Sequence, residues 1–236
     1  KGMGRALARA LAGRGDQLSL LGREAGDLQK SAEDLAARSE NAVVATAICD
    51  LADPSTFEPA LDAAQAALGG LDAVVITAGL FATQEALEQD LERTENLLRV
   101  NFTNTVLFCE HARRRLMSGG GGTLCVFSSV AGDRGRKPVI LYGASKAGLS
   151  YYLEGLDHKF RADGLVTICV KPGFVKTGMT AGLDPPPFAG EPEQVARDVL
   201  KAIDRGKPVI YTPKAWWLVM AIVRRLPRLV MRRIGF

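Results

Sequence analysis

Tyr142-Gly-Ala-Ser-Lys146 is the stretch on which the reading of this chain turns. The tyrosine and the lysine stand four residues apart in a segment that reads as the start of a long helix, so both side chains project from one face. A free tyrosine has a pKa of roughly 10 and is a poor proton donor at neutral pH. A lysine ammonium held beside it favours the phenolate and lowers that value. Bringing it near 7 takes about 4 kcal/mol of differential interaction. Alone, such a pair is more often a surface lysine beside a half-buried tyrosine, so its meaning depends on its surroundings.

Upstream lies Thr123-Leu-Cys-Val-Phe-Ser-Ser129, followed by Val130-Ala-Gly132. The apolar, β-branched and aromatic run predicts a buried strand whose carboxyl end opens into a loop. In open α/β sheets ligands bind at that end. A hydroxyl from Ser129 there can hydrogen-bond a substrate oxygen, whereas a lone serine at a strand end is more often turn chemistry. Strand, paired serines, loop and Tyr-x-x-x-Lys, in this order and spacing, resemble the active-site segment of the short-chain dehydrogenase/reductase family. The resemblance implies an α/β fold, a doubly wound parallel sheet in three α/β/α layers, of Rossmann type. It implies Ser129, Tyr142 and Lys146 as catalytic residues.

The chain has 236 residues, 47% of them hydrophobic, enough for one sizeable core. There is no internal repeat and no low-complexity tract. No run of about 18 apolar residues predicts an ordinary transmembrane helix, and no signal peptide is visible. The expected location is cytoplasmic. Cys49, Cys109, Cys125 and Cys169 are far apart in sequence and are expected as buried thiols, with no metal pattern among them.

Lys1-Gly-Met-Gly4 opens a strong helix former that is expected to stop at Gly13. Glycines opening a helix suit a dinucleotide pyrophosphate, because backbone can approach phosphate and the helix N-terminus supplies N–H donors. Gly2 and Gly4 look like the last two glycines of the family's Thr-Gly-x-x-x-Gly-x-Gly motif, and the strand preceding that motif is expected to be missing from this chain. Gln17–Arg23 predicts the next strand. No acid ends it, where one would select NAD by bonding the adenosine ribose. Arg23 can instead pair with a 2′-phosphate, with Lys1 adding a second charge; a solvated arginine at a helix start is the competing reading. The resemblance thus implies NADP, as NADPH, in preference to NAD.

A helix is expected over 24–39, a strand over 41–49 and a further helix over 54–68. Asp50 and Leu51 resemble the family's adenine contact. The strand 71–76 leads into Thr77-Ala78-Gly79, where the family usually has Asn-Asn-Ala-Gly; Ala78 and Gly79 carry over as cofactor contacts. A long helical pattern over 90–117 holds Asn101, which matches the family's asparagine anchoring a water relay to the lysine. The helix over 140–163 and the Asn101 helix form the family's usual dimer face, so a homo-oligomer is expected. Lys171-Pro172-Gly173-Phe-Val175-Lys-Thr177 resembles the segment that holds the nicotinamide carboxamide. Residues 178–190 read as a loop able to close over substrate. A helix is expected from Glu191, and a short strand at 208–211.

Residues 1–213 therefore read as the catalytic domain and 214–236 as a basic tail. The tail carries six of the thirty basic residues and no acid, which leaves 24 basic against 26 acidic residues in the body. Ala215–Val223 is too short an apolar run to span a bilayer. Trp216, Trp217 and the flanking arginines suit a membrane interface, while packing on the domain or on a second subunit is the alternative. Nucleic acid is not expected, since no reading module accompanies the charge.

Ser128–Arg136, Lys171–Val175, Met179–Leu183 and the Trp/Arg tail are similar to the family branch containing decaprenylphosphoryl-2-keto-β-D-erythro-pentose reductase. That resemblance implies a keto-sugar on a polyprenyl phosphate as substrate. A soluble reductase of acyl, steroid-like or small ketones, and a non-catalytic nucleotide-binding scaffold, are the alternatives.

Overall fold

The computed structural model describes residues 1–39 and 44–235. The chain begins with helix α1 (Gly2–Arg14), strand β1 (Leu18–Gly22), helix α2 (Ala25–Ala36) and strand β2 (Val44–Ile48). Helix α3 (Phe57–Leu68), strand β3 (Ala73–Ile76) and the short helices α4 (Gln84–Gln89) and α5 (Leu91–Leu98) follow. Helix α6 (Thr105–Ser118), strand β4 (Gly122–Phe127), helix α7 (Ile140–Phe160) and strand β5 (Leu165–Pro172) form the centre. Helix α8 (Pro192–Arg205), strand β6 (Val209–Thr212) and helices α9 (Ala215–Val223) and α10 (Arg228–Arg233) complete it.

All described strand pairs are parallel, as the alternation of strands with helices requires. The expected single sheet is observed as two, β1-β2 and β3-β4-β5-β6. Residues 41–43 of the strand expected over 41–49 lie outside the described residues.

Side-chain alternation along β4 builds both cores. Leu124 and Val126 face α3, α6 and α7, packing among Phe57, Phe108, Leu116, Leu149 and Leu153. Cys125 and Phe127 face α1 and α8, packing among Leu7, Val195 and Val199. A strand buried on both faces reads as a continuous apolar run, which is why 123–127 was legible as a central strand. All four cysteines are buried free thiols.

Two local expectations change. Helix α1 passes through Gly13 and ends at Gly15, whose φ of 92° supplies the left-handed cap. The helix expected over 90–117 is not continuous: residues Arg99–Asn104 form a π-helical turn between α5 and α6. The tail is two helices, because Pro227 stands as the N-cap of α10 and interrupts any continuation of α9.

Candidate active site

The carboxyl ends of β3, β4 and β5 gather the predicted residues. Ser129 follows β4, and its Oγ accepts from Ala131 N at 3.1 Å, fixing the hydroxyl at the mouth of a 3-10 turn over Val130–Asp133. Tyr142 lies in the first turn of α7 and packs edge-on against Phe81, with ring centroids 5.2 Å apart. Lys146, one turn on, is 4% exposed, and its ammonium donates to the Phe127 carbonyl at 3.0 Å. Ser128 locks this helix to β4: its Oγ donates to the Lys146 carbonyl at 2.9 Å and lies 2.7 Å from Ser150 Oγ.

Tight backbone packing sets the distance between the serine loop and α7. A Cβ on Gly132 would stand 2.6 Å from Lys146 C, and one on Gly143 would stand 2.8 Å from Ala131 O. Only hydrogen fits at either position, so the turn after Ser129 rests directly on the Tyr142–Lys146 turn of α7.

Asn101 is 1% exposed and sits in the π-turn. Such turns are frequent at functional sites because they re-aim one side chain out of the helical register. Both ends of its amide are engaged by one residue: Oδ1 accepts from Leu80 N at 2.7 Å and Nδ2 donates to Leu80 O at 2.8 Å. A Cβ on Gly79 would lie 3.2 Å from Asn101 Oδ1 and 3.4 Å from Lys146 Nζ. Gly79, Asn101 and Lys146 therefore meet at one point. The amide clamps the loop after β3, and the water relay expected of Asn101 would have to run through another of its atoms.

The electrostatics correct one expectation. Lys146 was expected to lower the Tyr142 pKa, yet burial pushes the phenol up to about 12, with the Ser129 hydroxyl pulling it back. Burial likewise brings Lys146 down to about 8. The Lys146 Nζ stands 5.9 Å from the centre of the tyrosine ring and spends a hydrogen bond on the Phe127 carbonyl. At that separation desolvation of both groups outweighs their mutual attraction. Tyr142 keeps some exposed surface, so solvent screens part of the push on the phenol.

The residues expected to hold the nucleotide pack as follows. A Cβ on Gly4 would lie 2.5 Å from Thr77 Oγ1, and Gly2, with φ of +53°, faces the Thr177 methyl at 3.3 Å. The start of α1 is thus packed between the ends of β3 and β5. Its first turn carries no side-chain cap and no acid, so backbone donors are open to an anion. A glycine cradle, a helix N-terminus and two nearby strand ends fit a dinucleotide pyrophosphate. Lys1 pairs with Asp27 at 2.6 Å and Arg23 lies 3.8 Å from Glu24; Lys1, Arg23 and Glu24 are all mostly exposed, and all four residues cluster at the α1–α2 corner. Asp50 accepts from Ala52 N at 2.9 Å, shaping the turn that presents Leu51. Ala78 and Gly79 follow β3.

Pro172 ends β5, and Thr180 Oγ1 donates to the Val175 carbonyl at 2.7 Å and accepts from Thr177 N at 3.1 Å. Gly173 has a second role. A Cβ there would stand 2.1 Å from Trp216 Nε1, so the tail helix occupies the space a side chain would need.

The family model described as short chain dehydrogenase matches residues 1–186. The chain belongs to the short-chain dehydrogenase family. It is 33% identical over 98% of its length to an uncharacterized oxidoreductase of Mycobacterium tuberculosis, 92% of which is covered. It is 34% identical over 98% of its length to an uncharacterized oxidoreductase of Streptomyces coelicolor, 91% of which is covered. Among solved structures, a short-chain dehydrogenase from Sphingobium yanoikuyae in complex with NADPH superposes with a TM-score of 0.80. That match has 24% identity and covers 99% of this chain and 92% of the other. Membership makes this chain an NAD(P)-dependent oxidoreductase.

Several residues of this short-chain dehydrogenase site escaped sequence reading. Asn104, in the same π-turn as Asn101, donates from Nδ2 to the Leu51 carbonyl at 2.7 Å. Gln84 caps the Leu141 N–H at 3.1 Å and so orients the start of α7. Asp133, 2% exposed in its side chain, takes an ion pair from Lys171 at 2.6 Å and a hydrogen bond from Tyr211 at 2.7 Å. The two asparagines spaced by three were the one available signal. The other partners are far apart in sequence and meet only through the sheet.

Proposed function

We propose that this chain is an NADPH-dependent carbonyl reductase in which Ser129, Tyr142, Lys146 and Asn101 form the reacting site. The observation that carries the reading is their convergence at the carboxyl ends of β3 and β4, opposite the glycine cradle of α1. Gly2 and Gly4 would hold the pyrophosphate, Lys1 and Arg23 the 2′-phosphate, and Asp50 and Leu51 the adenine. Ala78, Gly79, Pro172, Gly173, Val175 and Thr177 would line the remainder of the cofactor groove. The nicotinamide supplies the hydride when bound.

The protein's own part is orientation and proton handling. Ser129 holds the substrate oxygen with its hydroxyl. Tyr142, protonated at neutral pH in its partly desolvated setting, gives its proton to that oxygen as the negative charge develops. Lys146, with a pKa near 8, still carries most of its charge at pH 7 and stabilises the phenolate left behind. Asn101 keeps the Gly79–Leu80 peptide rigid beside the ammonium.

We favour a keto-sugar carried on a polyprenyl phosphate as the substrate, with the chain working as a homo-oligomer at the inner face of a membrane. Apolar side chains on the 178–190 loop support this: Met179, Leu183 and Phe188 are exposed there. Such side chains suit a lipid-linked substrate, as they would an acyl or steroid-like ketone, better than a small polar one. The site can be tested by titrating NADPH and NADH against the native protein and Tyr142→Phe, then measuring turnover with candidate ketones. The expected result is tighter NADPH binding, equal in both proteins, with turnover lost in the variant. Substantial turnover by Tyr142→Phe would remove Tyr142 from its role, and an absence of nucleotide binding would overturn the reductase reading.

A further inference from the structure

The C-terminal helices divide their apolar residues between two faces. Trp216, Met220 and Val223 are buried and pack on Val130 of the serine loop, with Phe174, Tyr211, Val219 and Met231 around them. Trp217, Leu218 and Ile222 lie on the opposite side of α9 and are 57%, 59% and 58% exposed, while Leu229 on α10 is 69% exposed. A helix that is apolar all round and buried on one side leaves a large hydrophobic surface in water, which marks an interaction site.

Charge selects the partner. Lys214, Arg224, Arg225, Arg228, Arg232 and Arg233 are all exposed around this surface, and the segment holds no acid. None of the six forms an ion pair among the described residues. A second copy of the chain would bring like charges face to face, which opposes pairing. An anionic bilayer matches both features: its surface neutralises the cations, and its interface takes an exposed tryptophan with flanking aliphatic side chains.

We propose that the outer face of α9 and α10 docks this chain on an anionic lipid bilayer. The same helices are fastened to the loops that border the active site. Arg134 Nη2 donates to the Leu226 carbonyl at 2.8 Å, and Lys137 Nζ donates to the Arg232 carbonyl at 2.7 Å. Trp216 Nε1 donates to the Phe188 carbonyl at 3.0 Å, tying the substrate loop to the buried side of α9. Docking therefore fixes the cleft at the membrane surface, and the mouth formed by residues 130–137 and 178–190 receives its substrate from the lipid phase. The inference rests on the lipid-carried substrate for its purpose. Its test reads binding without turnover, so either reading can fail alone.

The full chain is sedimented with vesicles of phosphatidylcholine and with vesicles also containing phosphatidylglycerol. Binding is expected only to the second, falling as salt is raised, with a blue shift of tryptophan emission from Trp217. Arg228→Gln/Arg232→Gln/Arg233→Gln should lower partitioning on the order of 100-fold. Trp217→Ser/Leu218→Ser/Ile222→Ser should abolish the emission shift. All six positions are exposed, so circular dichroism should be unchanged. Equal sedimentation with both vesicle types would overturn the proposal. So would full binding by both variants, or a dimer in sedimentation velocity that either variant dissolves.

Discussion

Gly132→Ala places a methyl group where α7 already stands. The added Cβ would lie 2.6 Å from Lys146 C, 2.7 Å from Ala147 N and 2.8 Å from Lys146 O, all backbone atoms that cannot rotate away. Ordinary contact begins near 3.4 Å, so the serine turn and the helix must part by about 0.8 Å. Overpacking of this kind costs about 1–3 kcal/mol, which in a chain of this size lowers Tm by about 2–12 °C. The same separation moves Ser129 relative to Tyr142, and a displacement near 1 Å costs on the order of 100-fold in rate. The control lies in the same helix. Gly155→Ala meets no atom within 4 Å and should stabilise the protein by about 0.5–1 kcal/mol, since alanine is the better helix former. Thermal denaturation of both variants, NADPH titration, and turnover on a ketone found by screening would check the reasoning. If Gly132→Ala melts and turns over like the native protein, the loop is not braced against α7 and the argument fails.

Lys146 offers a pH test of stability. Its folded pKa lies near 8, below the usual lysine value, so between about pH 8 and 10 the unfolded chain binds more protons. Stability should therefore rise with pH across that window relative to Lys146→Met, in which the rise is absent; urea unfolding at a series of pH values measures the difference. Above pH 10 the raised Tyr142 pKa acts oppositely, because the folded state then holds the proton more tightly. Asp133→Asn removes the carboxylate from a nearly dry ion pair and strands Lys171. It should cost about 3–5 kcal/mol in urea unfolding, and Asp133→Asn/Lys171→Met should recover much of that loss; no recovery would show that the pair is not the cause.

Much of this site was legible because its chemistry is local. Tyr142 and Lys146 share a helical face by spacing alone, Ser129 closes an apolar, β-branched run with the pattern of a buried strand, and glycines open a helix at Gly2 and Gly4. Local pattern also carried the alternation of strands and helices. It failed where non-local packing intervenes. The π-turn at Arg99–Asn104 arises inside a continuous helical pattern, and it points Asn101 at Leu80 and Asn104 at Leu51. Neither target is near in sequence.

What the sequence by itself determined is the family, the fold class and the alternation of strands and helices, and it singled out the four residues proposed for the reacting site. These follow from periodicity, side-chain chemistry and short-range spacing. Tertiary structure alone decided the burial of the Tyr142–Lys146 pair and which side of the tail packs on the domain. Whether Lys146 lowers or fails to lower the Tyr142 pKa depends on burial, a property of everything packed around the pair. Whether Trp216 or Trp217 turns inward depends on Gly173, which lies 43 residues earlier and leaves room for one indole. Periodicity cannot distinguish two faces of an all-apolar helix; only the surface it lands on can.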